Sequence, residues 1–348
     1  SETIAACKSG ITTLCCPPDT DPVIDEPAIV DLINRKMFDS AHSKVVTLGA
    51  LTSGLFGDHL SEMFALQQAG CVGLSNCRKP VENSLILKRA FAYAATFGIR
   101  VFIEPDEHWL STGGCAHEGK IATRLGLKGI PVSAETVAIA RALELIAETG
   151  VSAHFGRLSS AQGAEMIARA KNEQLPITAD VSAHQLHLTE QDISSYNSLC
   201  HVIPPLRTQR DLEALIQAVV NGTIDTICSD HQPHNIDAKQ APFASTEVGI
   251  SSLETLLPLC LRLSHQGQIP LDVLIDKITH APAKILGIEA GTLSPGVSAD
   301  LCIFDKDEDW QLLDSSIYSH GKNTPFLGWN LQGKVKHTII NGKVLFSD

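Results

Sequence analysis

The residues with the clearest chemical potential stand in one short segment, residues 229–234. A carboxylate and two imidazoles lie within it, at Asp230, His231 and His234, directly after an apolar run. Such a group could bind a metal ion or transfer a proton. The alternative is that Asp230 caps the following helix and that both histidines are solvated. The spacing alone leaves both interpretations open.

Several other histidines and cysteines are better interpreted as structural residues. His184 and His187 follow an apolar run, and packing or hydrogen bonding is a better interpretation for them than metal binding. His154 lies inside an apolar run, so we predict a core histidine with its hydrogen bonds satisfied. Cys15 and Cys16 also lie within such a run, where thiols are usually inert, and we assign them no role.

Arg207 follows a rigid pair of prolines at residues 204–205. Its guanidinium could hold the carboxylate of a substrate, because the planar fork of N–H donors matches a carboxylate. It could equally pair with an acidic neighbour in the same chain. The residue types around it do not decide between these roles.

The elements that must position these residues are short apolar runs separated by segments with helical spacing, such as Val137, Ala140, Leu143 and Ile146. This alternation predicts a parallel sheet, and seven runs in succession favour an α/β fold, a (β/α)8 TIM barrel with one unit missing at the front. A doubly wound sheet is the competing architecture, but no GxGxxG turn supports it. In a barrel, functional groups stand at the carboxyl ends of the strands. The seven runs are residues 11–16, 45–50, 71–74, 101–103, 151–155, 177–181 and 224–228.

The pattern changes after Gly291. Strand-like segments at residues 299–305, 335–340 and 343–346 follow, with an Asn341-Gly342 pair that is typical of a tight turn. We therefore predict two parts, a (β/α) barrel over residues 1–288 and a small β-structure over residues 289–348.

Composition narrows the class of protein. The 348 residues carry 27 basic and 39 acidic side chains, a net charge of −12, which argues against nucleic-acid and anionic-membrane partners. No apolar stretch reaches the roughly 18 residues that span a bilayer. The ten cysteines show no framework spacing. We expect reduced thiols and a cytoplasmic location.

Several segments together resemble the dihydroorotases of the cyclic amidohydrolase superfamily, and specifically the branch that works alongside aspartate transcarbamoylase. The resemblance runs essentially from end to end. It implies a TIM barrel of the metal-dependent amidohydrolase type and a partial β-sandwich, which the carboxyl-terminal tail builds together with an amino-terminal segment in relatives. The segments that carry it are residues 10–13, 18–23, 113–119, 129–131, 204–207, 225–234 and 323–328.

The resemblance also implies a chemistry. The family opens or closes a cyclic amide, interconverting dihydroorotate and carbamoyl-aspartate in pyrimidine biosynthesis. Zinc activates water and polarises the carbonyl, while an aspartate shuttles the proton. The family's ligands are an HxH pair after the first strand, a carboxylate or carboxylated lysine after the fourth, histidines after the fifth and sixth, and an aspartate after the eighth.

The positions that match this ligand set are largely changed. The sequence contains no HxH, Asn76 and Cys77 stand where the family has its acidic pair, and Glu104 and Arg157 align with the two single histidines. Only Asp230 is retained, at the proton-shuttle position. A permanent cation at Arg157 repels a metal ion and offers it no lone pair. We therefore expect no metal cofactor.

Positions that match the family's substrate contacts are changed in part. Asp19 replaces an asparagine in the second-strand motif, and Ile203 replaces the asparagine before the double proline. The resemblance retains Arg207 and His234, and the substituted Arg157 is a third candidate for contacting a ligand.

Three hypotheses follow. The leading one is an inactive dihydroorotase-like protein that holds aspartate transcarbamoylase in a homo- or hetero-oligomeric assembly. The second is an active cyclic amidohydrolase with an unusual zinc site that uses Asp230, Glu104 and an HxH pair upstream of Ser1. The third is a metal-free binder of an anionic metabolite, with Arg157, Arg207 and His234 as contacts. We expect about 70 further residues ahead of Ser1, because a closed barrel needs its first strand.

Overall fold

Seven parallel strands form the central sheet of the computed structural model, which describes residues 2–40 and 42–348. The order in the sheet is β1-β2-β3-β4-β7-β8-β9, with β5 and β6 paired separately as a two-stranded parallel ladder. All seven predicted strands are confirmed. The strands are β1 (Thr13–Cys16), β2 (Lys44–Ala50), β3 (Gly73–Ser75), β4 (Val101–Ile103), β5 (Ala116–His117), β6 (Gly129–Ile130), β7 (Ala153–Phe155), β8 (Ile177–Ser182) and β9 (Thr226–Cys228).

The strand order decides between the two predicted architectures. It runs in one direction from β1 to β9, as the sheet of a (β/α) barrel does. A doubly wound sheet would reverse its order at a switch point, and this sheet does not. The fold is therefore the predicted barrel type, formed here by a curled sheet of seven strands.

Helices connect the strands and cover the sheet. Capping residues set several of their ends, for example Thr208 and Asp211, which form a capping box at the start of α9. Among the described residues, no helix is both long and apolar enough to cross a membrane. The helices are α1 (Glu2–Lys8), α2 (Pro27–Ser40), α3 (Met63–Gln68), α4 (Ser84–Thr96), α5 (His108–Ser111), α6 (Lys120–Leu125), α7 (Val132–Thr149), α8 (Ala161–Asn172), α9 (Gln209–Val220), α10 (Leu256–His265), α11 (Leu271–Ile278) and α12 (His280–Leu286).

The tail folds as a small antiparallel sheet of three strands, β10 (Leu301–Gln311), β11 (Asn330–Ile340) and β12 (Lys343–Ser347). Asn341 and Gly342 join the last two strands with positive φ angles of 50° and 73°. Such a pair matches the right-handed twist of a hairpin, so the predicted tight turn is confirmed.

Residues just after three strands of the sheet share an unusual backbone conformation. Cys77 follows β3, Arg157 follows β7 and Asp230 follows β9, with φ angles of 49°, 57° and 47°. Residues other than glycine rarely adopt positive φ, and they do so mainly where a site constrains the backbone. These three positions mark the edge of the sheet where the candidate site lies.

Candidate functional site

A cavity that is partly open to solvent lies at the carboxyl ends of the strands. Charged side chains of both signs line it, so it is not a simple apolar pocket. Its lining includes Arg78, Glu104, Asp106, Glu135, Arg157 and Arg207, together with Cys77, Pro80, Pro105, Ile130, Ala134, Gly156, Ile203, Pro204 and Pro205.

Arg157 lies at the centre of the strand ends and is only 7% exposed. Its Nη2 donates to the Glu104 carboxylate, and its Nη1 donates to Asp230 Oδ1 at 3.1 Å and to the carbonyl oxygen of Ile203 at 3.3 Å. Glu104 follows β4, Arg157 follows β7 and Asp230 follows β9. The guanidinium therefore links the ends of three strands that are separated widely in sequence.

The charged groups of this cluster shift one another's pKa values. Burial alone would raise the pKa of Asp230, but Arg157 and His184 outweigh it and hold that pKa below its usual range. Burial opposes the charged form of Arg157 as well, yet Glu104 and Asp230 raise its pKa. Burial raises the pKa of Glu104 despite the nearby guanidinium of Arg157. Asp230 and Arg157 thus form a buried ion pair.

Asp180 supports Arg157 from the neighbouring strand β8. Its Oδ1 accepts the backbone N–H of Arg157 at 2.6 Å and the thiol of Cys228 at 3.3 Å. Its Oδ2 is 2.9 Å from His154 Nε2, and His154 Nδ1 is 2.8 Å from Thr178 Oγ1. The prediction that His154 is a satisfied core histidine is confirmed. Asp180 was missed at the sequence level, although a carboxylate inside an apolar run was a usable signal.

His187 and His184 lie in different surroundings. His187 Nε2 donates to the Leu259 carbonyl oxygen at 2.9 Å, as predicted for a hydrogen-bonding histidine. His184 Nε2 lies 4.0 Å from Asp230 Oδ2, and its Nδ1 has no partner among the described residues. Burial lowers the pKa of each to about 4. Both imidazoles are therefore neutral near pH 7.

The segment of residues 229–234 does not act as one group. His231 bonds Glu2 Oε2 at 2.8 Å, and His234 donates from Nε2 to the Val248 carbonyl oxygen at 2.8 Å. The structure places His234 outside the group of side chains that lines the cavity. Of Asp230, His231 and His234, only Asp230 contacts Arg157.

The positions matching the family's acidic pair and the nearby Asp19 have local roles. Asn76 accepts from Thr52 Oγ1 at 2.7 Å and donates to the Lys79 carbonyl oxygen at 2.7 Å. Cys77 Sγ donates to Glu104 Oε1 at 3.5 Å, and burial raises the pKa of this thiol. Asp19 forms an ion pair with Arg78. The Asn76 amide and the protonated Cys77 thiol are poor replacements for a bridging carboxylate.

Arg207 lines the same cavity and is 2% exposed. Its Nε donates to Ser159 Oγ at 3.0 Å, and its Nη1 donates to the Ile130 carbonyl oxygen at 2.9 Å and to His117 Nδ1 at 3.1 Å. No carboxylate of the described residues lies within 4.0 Å of it. Burial lowers the pKa of Arg207, with nearby acidic groups opposing that shift.

Glu135 explains why Arg207 lacks an acidic partner. Both of its carboxylate oxygens accept hydrogen bonds from the backbone N–H and hydroxyl groups of Ser159 and Ser160, at 2.5–3.1 Å. The Ser159 hydroxyl donates to Glu135 and accepts from Arg207. Sequence reasoning missed both Glu135 and Ser159, because each is a single polar residue with no motif around it.

The side chains at the strand ends do not fit a zinc ion. A guanidinium stands between the two carboxylates that would otherwise be available, and it repels a cation. Within residues 2–40 and 42–348, no three His, Cys, Asp or Glu side chains are grouped so that they could hold a metal ion. No chemical step is assigned to a metal here.

Comparisons with known proteins agree on one family. Residues 105–345 match the model described as "Amidohydrolase family", and residues 1–162 match "Dihydro-orotase-like". A "Dihydroorotase-like protein" of Pseudomonas aeruginosa is 47% identical over 98% of this chain and 81% of its own length. A "Dihydroorotase" of Geobacter sp. is 38% identical over 98% of this chain and 80% of its own length.

Solved structures agree on the fold. The L-hydantoinase of Arthrobacter aurescens superposes with a TM-score of 0.88 at 25% identity, over 98% of this chain and 78% of its own. A D-hydantoinase superposes with a TM-score of 0.83 at 20% identity, over 99% of this chain and 79% of its own. These neighbours support the assignment of the curled sheet to a barrel of the hydantoinase type.

Proposed function

This chain belongs to the dihydroorotase-like family of amidohydrolases, and we propose that within it the chain is catalytically inactive and serves as a structural partner of aspartate transcarbamoylase. On this proposal it works without zinc and acts in a homo- or hetero-oligomeric assembly of pyrimidine biosynthesis. Surfaces of the barrel, rather than the cavity, contact the partner.

One observation carries the inactive part of the proposal, the position of Arg157. The guanidinium forms a buried ion pair with Asp230, the residue that aligns with the family's proton shuttle. A carboxylate held in its charged form by a permanent cation is a poor base, because the cation lowers its proton affinity. Arg157 itself aligns with one of the family's histidine ligands, and its guanidinium contacts Glu104, which aligns with another.

The partner in the proposal is supported by a contrast between motifs. Segments that resemble the branch working with aspartate transcarbamoylase are retained along the whole chain, such as residues 113–119 and 323–328. The changed positions are those that match the family's metal ligands and substrate contacts, such as Cys77, Glu104 and Arg157. The chain keeps the segments that build the fold and lacks most of the family's metal ligands. This contrast favours a role that depends on the fold and not on the reaction.

The names of some relatives favour a second candidate, an active dihydroorotase. Proteins named "Dihydroorotase" are 36–39% identical to this chain over nearly all of it. On that alternative Asp230 would be essential, and Arg157 would have to leave it during turnover. Dihydroorotate hydrolysis by the full-length protein decides between the candidates.

Co-expression with aspartate transcarbamoylase tests the structural role. We expect the two full-length proteins to copurify, and transcarbamoylase to lose its assembly when this protein is absent. The matched variant is Asp230→Asn, which alters the buried pair with Arg157 but not the barrel surface. It should support assembly as well as the unchanged protein does. Transcarbamoylase that assembles and works normally alone would contradict the proposal.

A further inference from the structure

The helices that cover the sheet differ in how much apolar surface they expose. In the part of the chain that the structure describes, α8, α10, α11 and α12 expose no large apolar side chain, and α9 exposes only Val220. The consecutive helices α2, α3 and α4 form a different outer wall. Leu32 and Phe38 lie on α2, Phe64 lies on α3 and Phe97 directly follows α4, and each is at least 40% exposed.

The outer wall of α2, α3 and α4 is one continuous face. α2 packs beside α3, and the rings of Phe64 and Phe97 lie 4.7 Å apart between their centroids. Tyr93 of α4 extends this contact, with its ring centroid 4.9 Å from that of Phe97. Phe38 is 93% exposed, so its ring contacts little of its own chain. Burial of such rings is favourable, and aromatic side chains are enriched at protein interfaces.

The side chains on α2 are complementary to a second α2 that runs in the opposite direction. Asp31 and Arg35 are exposed four residues apart on one face, and neither has an ion-pair partner among the described residues. A two-fold axis near Ile33 places Asp31 of each copy opposite Arg35 of the other. The same axis places Phe38 opposite Ala28, a small exposed residue that leaves room for the ring.

The distribution of charge favours contact between copies at this wall. The whole chain has a net charge of −12, so two copies repel each other over most of their surfaces. Residues 27–98, which include the three helices, contain seven basic and five acidic side chains. The excess of negative charge therefore lies elsewhere, and two copies can meet at the wall without this repulsion.

We propose that the outer wall of α2, α3 and α4 is the contact surface between two copies of this chain, related by a two-fold axis that pairs α2 with α2. Phe38 and Phe64 supply apolar surface to the contact, and the Asp31–Arg35 pairs fix the opposed direction of the helices. The proposal concerns this chain alone. It therefore fails or holds separately from the proposed binding of aspartate transcarbamoylase.

Analytical ultracentrifugation of the full-length protein, with no transcarbamoylase present, tests the contact. We expect self-association that Phe38→Glu weakens at least tenfold, since the change places a charge in the contact and removes little from the fold. Ile236→Glu is the matched control, because Ile236 is 75% exposed in the loop after β9 and lies outside the wall. It should change the association less than twofold.

Two results of this experiment would overturn the proposal. One is a full-length protein that stays monomeric up to about 0.1 mM, a concentration at which even a weak specific dimer forms. The other is self-association that Phe38→Glu leaves unchanged. A protein that is monomeric alone, but that loses copurification with transcarbamoylase in Phe38→Glu, would assign the wall to that partner instead.

Exchanging the charges tests the two-fold pairing itself. Asp31→Arg and Arg35→Asp should each weaken self-association at least tenfold, because each places like charges opposite one another twice. Mixing the two variants should restore association to within about threefold of the unchanged protein, since opposite charges then face each other at both pairs. A mixture that associates as weakly as each variant alone would contradict the pairing of α2 with α2.

Discussion

Two buried arginines line one cavity, and their surroundings are opposite. Arg157 is held by the carboxylates of Glu104 and Asp230, while Arg207 is held by a hydroxyl, a carbonyl and an imidazole. Direct ion pairs balance the charge of the first guanidinium and join strand ends, whereas the second is balanced only by acidic groups that it does not contact. The difference shows that residue type and burial do not fix the role of an arginine. The charge of its partners does.

The largest expected effect comes from Arg157→Met. Removing one partner of a buried ion pair leaves uncompensated charge, so we expect the free energy of unfolding to fall by about 3–5 kcal/mol. Urea denaturation of the full-length protein measures this loss. Adding Glu104→Gln and Asp230→Asn to the same protein removes the stranded charges and should restore much of the stability. A loss below 1 kcal/mol in Arg157→Met would mean that the cluster does not link the strand ends.

A smaller loss is expected from Arg207→Met. The change leaves acceptors on Ser159, Ile130 and His117 without their donor, but it strands no carboxylate. We expect a loss of about 1–3 kcal/mol in the same urea experiment. A loss as large as that of Arg157→Met would erase the distinction between the two arginines.

His117 beside Arg207 and Asp230 beside Arg157 should also differ in their response to acid. Burial and Arg207 lower the pKa of His117 below its usual value of 6.5. As the pH falls below 6.5, the unfolded chain gains a proton there and the folded chain does not, so stability declines. Asp230 behaves differently, because its folded pKa lies below 3.8. Its contribution is present above pH 3.8 and is lost as the pH falls through the folded value.

His117→Asn tests the acid response, because it removes the titrating imidazole. The side-chain oxygen of the introduced asparagine can still accept a hydrogen bond from Arg207. Between pH 6.5 and 5, the stability of this variant should fall less steeply than that of the unchanged protein, by at most about 1.4 kcal/mol per pH unit. Urea denaturation at several pH values gives both slopes. Identical slopes would show that His117 is not held neutral by the fold.

The smallest effect is expected from the surface pair of Lys88 and Glu148, whose side chains are 45% and 55% exposed. Lys88→Met should change the free energy of unfolding by less than about 1 kcal/mol, because solvent screens such pairs. This variant calibrates the denaturation experiments. A loss comparable to that of Arg157→Met would show that burial does not determine how much an ion pair contributes to stability.

The sequence predicted the fold well because the strands are short apolar runs separated by periodic helices. It located Asp230 and, through resemblance to a family, Glu104 and Arg157. It could not show that His234 donates to Val248 away from the cavity, because chain direction after β9 depends on long-range packing. Nor could it assign the partners of Asp180 and Glu135, which lie 23–26 residues away in sequence and meet them only after folding.

The zinc content of the full-length purified protein, measured by elemental analysis alongside dihydroorotate turnover on the same sample, tests the central claim most directly. The account predicts well under one zinc per chain and turnover no higher than that of the Asp230→Asn variant. Near-stoichiometric zinc with turnover that Asp230→Asn abolishes would contradict it, and would mean that Arg157 moves aside for a metal centre.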